Sequence, residues 1–177
     1  MSSTIPTALD LDHPGKQSAY FKLPNSTNAS GWGSLLLPVT LIHGGDGPTV
    51  LFTGGNHGDE YEGPIAIRKL ANELQPEQVR GRVICVPSLN HPAVLAGTRL
   101  SPVDGKNMNR VFPGKPRGTL SERIADVVFQ QLVTPSEVVV DIHSGGSSMI
   151  FAPCVLIHDL DDPEQMQKIV ESGQAFG

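Results

Sequence analysis

From Pro48 onward, short apolar runs of strand length alternate with amphipathic stretches of helical period, and no other feature limits the fold as much. Pro48–Thr53 (Pro-Thr-Val-Leu-Phe-Thr) is apolar and β-branched and stops at Gly54-Gly55. Pro64 then suits the first turn of a helix over 64–74, where its missing N–H costs nothing. Ile67, Leu70, Ala71 and Leu74 line one face of that helix at the i, i+3, i+4, i+7 spacing. Val83–Val86 is a second strand-like run, and Glu137–Ile142 a third. Between them, Thr119-Leu-Ser-Glu122 has the form of a capping box, with Leu120, Ile124, Val127, Val128 and Leu132 as the buried face of the helix it opens. Phe151–Ile157 is a fourth candidate strand, leading to a helix that starts at Asp161-Asp162-Pro163 and carries Met166, Ile169 and Val170 on one face. Strand and helix in alternation point to an α/β domain with a mixed, largely parallel sheet flanked by helices.

The remainder of the chain is turn-rich. The sequence holds 19 glycines and 15 prolines against 5% aromatic residues, and 88–118 reads as one long loop of Gly, Pro and Asn, a length typical of a functional or a disordered segment. Residues 1–18 read as a loose N-terminal arm, and 19–177 as the α/β domain, with strand material at Ala19–Pro24 and Ser34–Gly44. Apolar residues at 38% supply a core, which excludes a disordered or fibrous chain. A net charge of −5 argues against nucleic acid or an anionic membrane as partner. No apolar run approaches the roughly 18 residues of a membrane span, and the first residues lack the pattern of a secretory signal, so the cytoplasm is the expected location. Cys85 and Cys154 lie in apolar stretches and are expected to be buried and reduced.

In open α/β sheets the active site lies beyond the carboxyl ends of the strands. Two of these strands end in loops that carry histidine: Gly54-Gly-Asn-His57-Gly-Asp-Glu60-Tyr-Glu62 and Asp141-Ile-His143-Ser144. If the strands run parallel, His57, Glu60 and His143 emerge at one edge of the sheet, and two imidazoles with one carboxylate are the ligand set of a catalytic zinc. Singly, each residue has a plain structural role open to it: His57 as a loop histidine, Glu60 as an acidic residue at a helix start, His143 as a strand-end histidine. Arg99 and Asn107-Met-Asn109-Arg110 add donors suited to a carboxylate or an oxyanion.

Taken together, Gly-Asn-His57-Gly-Asp-Glu60, Asn-Met-Asn109-Arg110 and Asp-Ile-His143-Ser resemble, in order and context, the succinylglutamate desuccinylase/aspartoacylase family of the zinc-carboxypeptidase-like group. The resemblance spans about 48–146, and it implies one Zn²⁺ per chain held by His57, Glu60 and His143. It further implies that Arg99 polarises the substrate carbonyl, that Asn109 and Arg110 hold the substrate carboxylate, and that the substrate is a small N-acyl amino acid. The implied activity is metal-assisted hydrolysis of an amide, and the motifs look most like a bacterial branch that removes acetyl groups from diamino acids. Many members of the family are oligomers, so a homo-oligomer is compatible with it.

Two departures from the family pattern stand out. Relatives often carry Asp where Asn107 stands, a position suited to orient a zinc-ligating His; an amide accepts an N–H there without adding charge. The family's general-base Glu falls on a later strand, and nothing in 147–177 matches that segment; Glu164 and Glu171, on the last helix, are poor substitutes. The expectation is therefore a zinc-carboxypeptidase-like domain whose C-terminal part is absent, a partial catalytic domain with its zinc-binding half present. The alternatives are a zinc-binding pseudoenzyme or binding module without turnover, and a nucleotide-binding α/β protein. The last is disfavoured because neither Gly-x-Gly-x-x-Gly nor a P-loop follows a strand. Serine hydrolysis is disfavoured by the lack of a Gly-x-Ser-x-Gly turn.

Overall fold

The computed structural model describes residues 9–176. Five strands, β1 (Gly15–Pro24), β2 (Ser34–His43), β3 (Thr49–Gly54), β4 (Arg82–Val86) and β5 (Val138–Ile142), form one open sheet in the order β1-β2-β4-β3-β5. β1 and β2 are a long antiparallel hairpin, with Gly15 opposite His43 and Pro24 opposite Ser34. β2 is antiparallel to β4, while β3 is parallel to both β4 and β5. The sheet is mixed, as expected, and its parallel character is confined to the three strands after Pro48.

Period-two alternation sends neighbouring residues to opposite faces. Leu41, Leu51 and Ile84 enter one core with Phe21, Leu23, Leu37, Val39, Val86, Leu89 and Met108. Their neighbours Ile42, Phe52 and Cys85 face the other. Helix α3 (Leu120–Val128) covers the first face through Leu120, Ile124, Val127 and Val128, and a wide turn over Phe129–Val133 carries Leu132 into the same core. Helix α1 (Glu62–Glu73) covers the second with Ile67 and Ala71, flanked by the partly buried Leu70 and Leu74. Each fully buried Leu or Ile in these layers is worth about 1.5–3 kcal/mol of transfer free energy. Helix α3 opens on the expected capping box, Thr119 and Glu122 satisfying each other's backbone amides. Asp104 reinforces that end by accepting from both the amide and the hydroxyl of Ser121 at 2.8 Å.

Several expectations are corrected. The arm does not extend to residue 18: residues 1–8 lie outside the described part, and Gly15–Ser18 already pair with β2. Residues 88–118 are not a single loop, since helix α2 (His91–Ala96) and a 3₁₀ turn at Met108–Arg110 form within it. α2 has Pro92 at its start and ends on Gly97 at φ 63°. Phe151–Ile157 is not a strand; it runs irregular and exposed, because an apolar run becomes a strand only where a neighbour accepts its backbone hydrogen bonds. Helix α4 (Pro163–Gln174), capped by Asp162, follows as expected, but Met166, Ile169 and Val170 are only half-buried. Cys85 is buried, and desolvation pushes its thiol up to about 12, whereas Cys154 is exposed. Among the described residues, no helix is long and apolar enough to cross a membrane.

Candidate metal centre

Pairing of β3 with β5 sets Thr53 opposite Asp141 and Gly54 opposite Ile142, so both histidine-bearing loops leave the same edge of the sheet. The first loop is tightly fitted. Gly55 takes φ +68°, a backbone conformation that side chains disfavour, and a Cβ on Gly58 would fall on the backbone of Ala93 in α2. Leu89 N and Asn90 N donate to Gly54 O and Gly55 O at 2.8 and 2.9 Å, fixing the strand exit from the side.

Within this frame the carboxylate of Glu60 is shared between two imidazoles. Oε1 lies 2.7 Å from His57 Nδ1, and Oε2 lies 2.7 Å from His143 Nδ1. His57 and Glu60 are almost sealed from solvent, whereas the His143 side chain is 35% exposed. The far nitrogen of each ring is tied to an oxygen: His57 Nε2 to Asn107 Oδ1 at 3.2 Å, and His143 Nε2 to Asp141 Oδ2 at 2.8 Å. Those outer contacts turn both Nδ1 atoms toward Glu60. One donor atom from each of His57, Glu60 and His143 then lies within 4.8 Å of the others. Two nitrogens and one carboxylate oxygen, oriented through outer hydrogen bonds, make a donor set that fits a divalent transition metal.

The electrostatics agree with a site that holds positive charge. The hydrogen bond to Asp141 raises the His143 imidazole to about 9, against the opposing effect of burial and with a further contribution from Glu60. Desolvation pushes the Asp141 carboxyl up, but the bond and charge of His143, with Thr53 Oγ1 and Asn56 Nδ2, outweigh it and hold the carboxyl below its usual value. A metal ion held by His57, Glu60 and His143 would take the place of the His143 proton.

The remaining residues singled out from the sequence lie around this cluster. Arg99 reaches Glu60 Oε1 with Nη1 at 3.2 Å, and its side chain is 54% exposed. Asn107 is doubly engaged, its Oδ1 also accepting from Asn109 N at 3.0 Å, which starts the 3₁₀ turn. Asn109 is exposed and connects to the cluster through Asn56. Arg110 is exposed, and its side chain takes no hydrogen bond or ion pair among the described residues. Glu164 and Glu171 are engaged along their own helix, with Lys168 and Gln167. Reading from sequence missed Asp141, Thr53 and Asn56. The signal for Asp141 was present: two residues before His143 on a strand, it shares that residue's face.

Comparison with known proteins gives this arrangement a context. Residues 46–177 match the family described as the succinylglutamate desuccinylase/aspartoacylase catalytic domain. The chain is 49% identical over 175 residues to an N-alpha-acetyl-L-2,4-diaminobutyric acid deacetylase of Halomonas elongata, covering 99% of this chain and 51% of that protein. A succinylglutamate desuccinylase/aspartoacylase crystal structure from Rhodobacter sphaeroides superposes with a TM-score of 0.94 at 46% identity, over 99% of this chain and 54% of the other. The product-bound ectoine utilization protein EutE (DoeB) of Ruegeria pomeroyi gives a TM-score of 0.78 at 48% identity, over 82% of this chain and 44% of the other. The chain thus spans about half the length of the relatives it matches.

Proposed function

Because the chain belongs to the succinylglutamate desuccinylase/aspartoacylase family, we propose that it forms the metal-binding half of a zinc-dependent deacylase acting on a small N-acyl amino acid. One observation carries the reading: Glu60 sits between the Nδ1 atoms of two histidines whose other nitrogens are already held by oxygens. His57, Glu60 and His143 would hold the zinc, and a zinc ion in such a site supplies Lewis acidity, polarising a carbonyl and acidifying water.

The roles of this chain's own residues follow from where they stand. Arg99 uses one N–H on Glu60 and keeps others exposed, so its guanidinium is available for the negative charge that develops on a scissile carbonyl oxygen. Asn109 and Arg110 are exposed donors on one short turn, the pairing that a substrate carboxylate calls for. Asp141 keeps the His143 ring in the orientation that presents Nδ1, and Asn107 does the same for His57 without adding charge. The carboxylate that moves the proton is read as lying outside these 177 residues. Asp141 is spent on His143, Thr53 and Asn56, and Glu62 on the Ser144 hydroxyl.

The name of the Halomonas elongata relative favours an acetylated diamino acid over a succinylated substrate. Metal content of protein purified without added metal, beside His57→Ala, tests the site. About one zinc per chain, lost in the variant, is the expected result; no metal in either after zinc is supplied refutes it. Turnover is tested on the full-length protein with N-acetyl-L-2,4-diaminobutyrate against an N-succinyl amino acid. The 177 residues alone are expected to bind zinc with little or no hydrolysis, since a missing base costs about 10²–10⁴-fold in rate. An exposed His143 beside the hydrogen-bonded carboxylates of Asp141 and Glu62 also fits a zinc-binding protein without turnover. Absence of hydrolysis by the full-length protein would select that second reading.

A further inference from the structure

One buried side chain touches both parts of this site. Asn56 is 3% exposed, and its Nδ2 donates to Asn109 Oδ1 at 2.6 Å and to Asp141 Oδ2 at 2.8 Å. A primary amide has two protons, and both are used here. Their direction is set by chemistry. The Asp141 carboxylate already accepts from Thr53 Oγ1 and faces the His143 ring, so the end of Asn56 turned toward it is the NH₂ and not the carbonyl. The atom on the other side must accept as well, and that is the carbonyl oxygen of Asn109. The Asn109 amide therefore has its own NH₂ left to point away from the protein.

Among the described residues, nothing holds Asn56 from its other end. Its Oδ1 is buried without a hydrogen-bond partner among the described residues, a costly arrangement that the reverse orientation would worsen by setting acceptor against acceptor. Its backbone, by contrast, is clamped. Asn90 N holds Gly55 O at 2.9 Å, and Asn90 Nδ2 approaches Asn56 O at 3.4 Å. A short side chain on a fixed backbone, bonded to two neighbours, is a rigid bracket.

We propose that Asn56 is a positioning residue that ties substrate recognition to the metal centre: it orients the Asn109 amide with its NH₂ outward for a substrate carboxylate, and it holds Asp141 against His143. The inference rests on the roles given above to Asn109 and His143. It goes beyond them in coupling two functions through one amide. Thr53 makes a contrast, because among the described residues its hydroxyl reaches Asp141 alone.

The test uses the full-length protein as wild type, Asn56→Asp, Asn56→Ser and Thr53→Val. Zinc dissociation constants come from competition with a chelator, and KM and kcat from N-acetyl-L-2,4-diaminobutyrate. Asn56→Asp keeps the shape but cannot donate to Asp141, and its carboxylate draws the NH₂ of Asn109 inward. It is expected to weaken zinc binding about tenfold or more and to raise KM by a similar factor. Asn56→Ser, too short to span both neighbours, is expected to move both quantities, and it carries the test if the Asp variant does not fold. Thr53→Val is expected to weaken zinc while leaving KM near wild type. If the wild type binds zinc and turns over but the Asn56 variants move only one quantity or neither, the coupling is overturned and the proposed function stands. If the wild type binds no zinc or leaves the substrate intact, the proposed function fails and this inference falls with it.

Discussion

Glu60 Oε2 lies 2.7 Å from Nδ1 of His143, a residue 83 positions further along the chain. The same carboxylate meets His57 through its other oxygen. One side chain thereby joins the ends of two parallel strands. Glu60→Gln keeps the shape but replaces one oxygen by an NH₂ that cannot face an imidazole lone pair and a metal at once. Zinc affinity, measured against a chelator, is expected to fall by at least about 10–100-fold, the loss typical of even outer partners of a metal ligand.

Asn107 offers the opposite experiment. Its Oδ1 accepts from His57 Nε2 at 3.2 Å and from Asn109 N at 3.0 Å. Asn107→Asp preserves both contacts and adds a negative charge that makes the imidazole a stronger donor to a metal. Zinc is expected to bind up to about tenfold more tightly, in the same competition assay.

Arg99 holds Glu60 with a single N–H and is otherwise exposed. Arg99→Ala in the full-length protein is expected to lower kcat by about 10²–10³-fold, the usual loss on removing one oxyanion donor, with a smaller change in KM. A loss confined to KM would mean that Arg99 binds the substrate without sensing the charge that develops during reaction.

Stability should depend on pH through Asp104. Desolvation opposes its ionisation, but bonds from the Ser121 amide, the Thr119 and Ser121 hydroxyls and the Lys106 amide prevail and keep it below its usual 3.8. A carboxyl depressed in the folded state contributes stability above its unfolded value, and the contribution is lost as pH falls through the folded one. Asp104→Asn exchanges charge-assisted hydrogen bonds for neutral ones and is therefore expected to cost about 1 kcal/mol in denaturant unfolding near neutral pH. The gap to wild type should close on acidification below 3.8.

Gly63 carries the first turn of α1 past β5. A Cβ there would stand 2.7 Å from Ile142 O and 3.4 Å from Gly54 Cα. Gly63→Ala is expected to lift the helix start, which follows directly on Glu60, at about 1–3 kcal/mol of stability. Because Ile142 neighbours His143, zinc binding should weaken together with the melting temperature.

The fold was legible wherever local patterning and tertiary context agree. The capping box at Thr119, the Ile67–Ala71 stripe and the three strands after Pro48 all stand where periodicity puts them. Phe151–Ile157 shows the limit. Its composition is that of a strand, yet strand formation depends on a neighbour that no local pattern reports. The site was legible as far as residue type and strand ends reach, which covers His57, Glu60 and His143. Asn56 was hidden for a different reason: an asparagine beside a histidine says nothing about two partners 53 and 85 residues away.

The two halves of the sheet also differ in when they can form. β1 and β2 close on each other across a nine-residue turn region, 25–33, a local event on the scale of microseconds. The pairing of Thr53 with Asp141 must wait for a loop nearly ninety residues long, about 88 by sequence separation, to be drawn shut. During synthesis, the histidine at 57 therefore emerges and spends seconds without its counterpart. An ion bridging the two would arrive after most of the assembly is complete. Its grip should be felt in how slowly the chain comes apart, far more than in how fast it comes together.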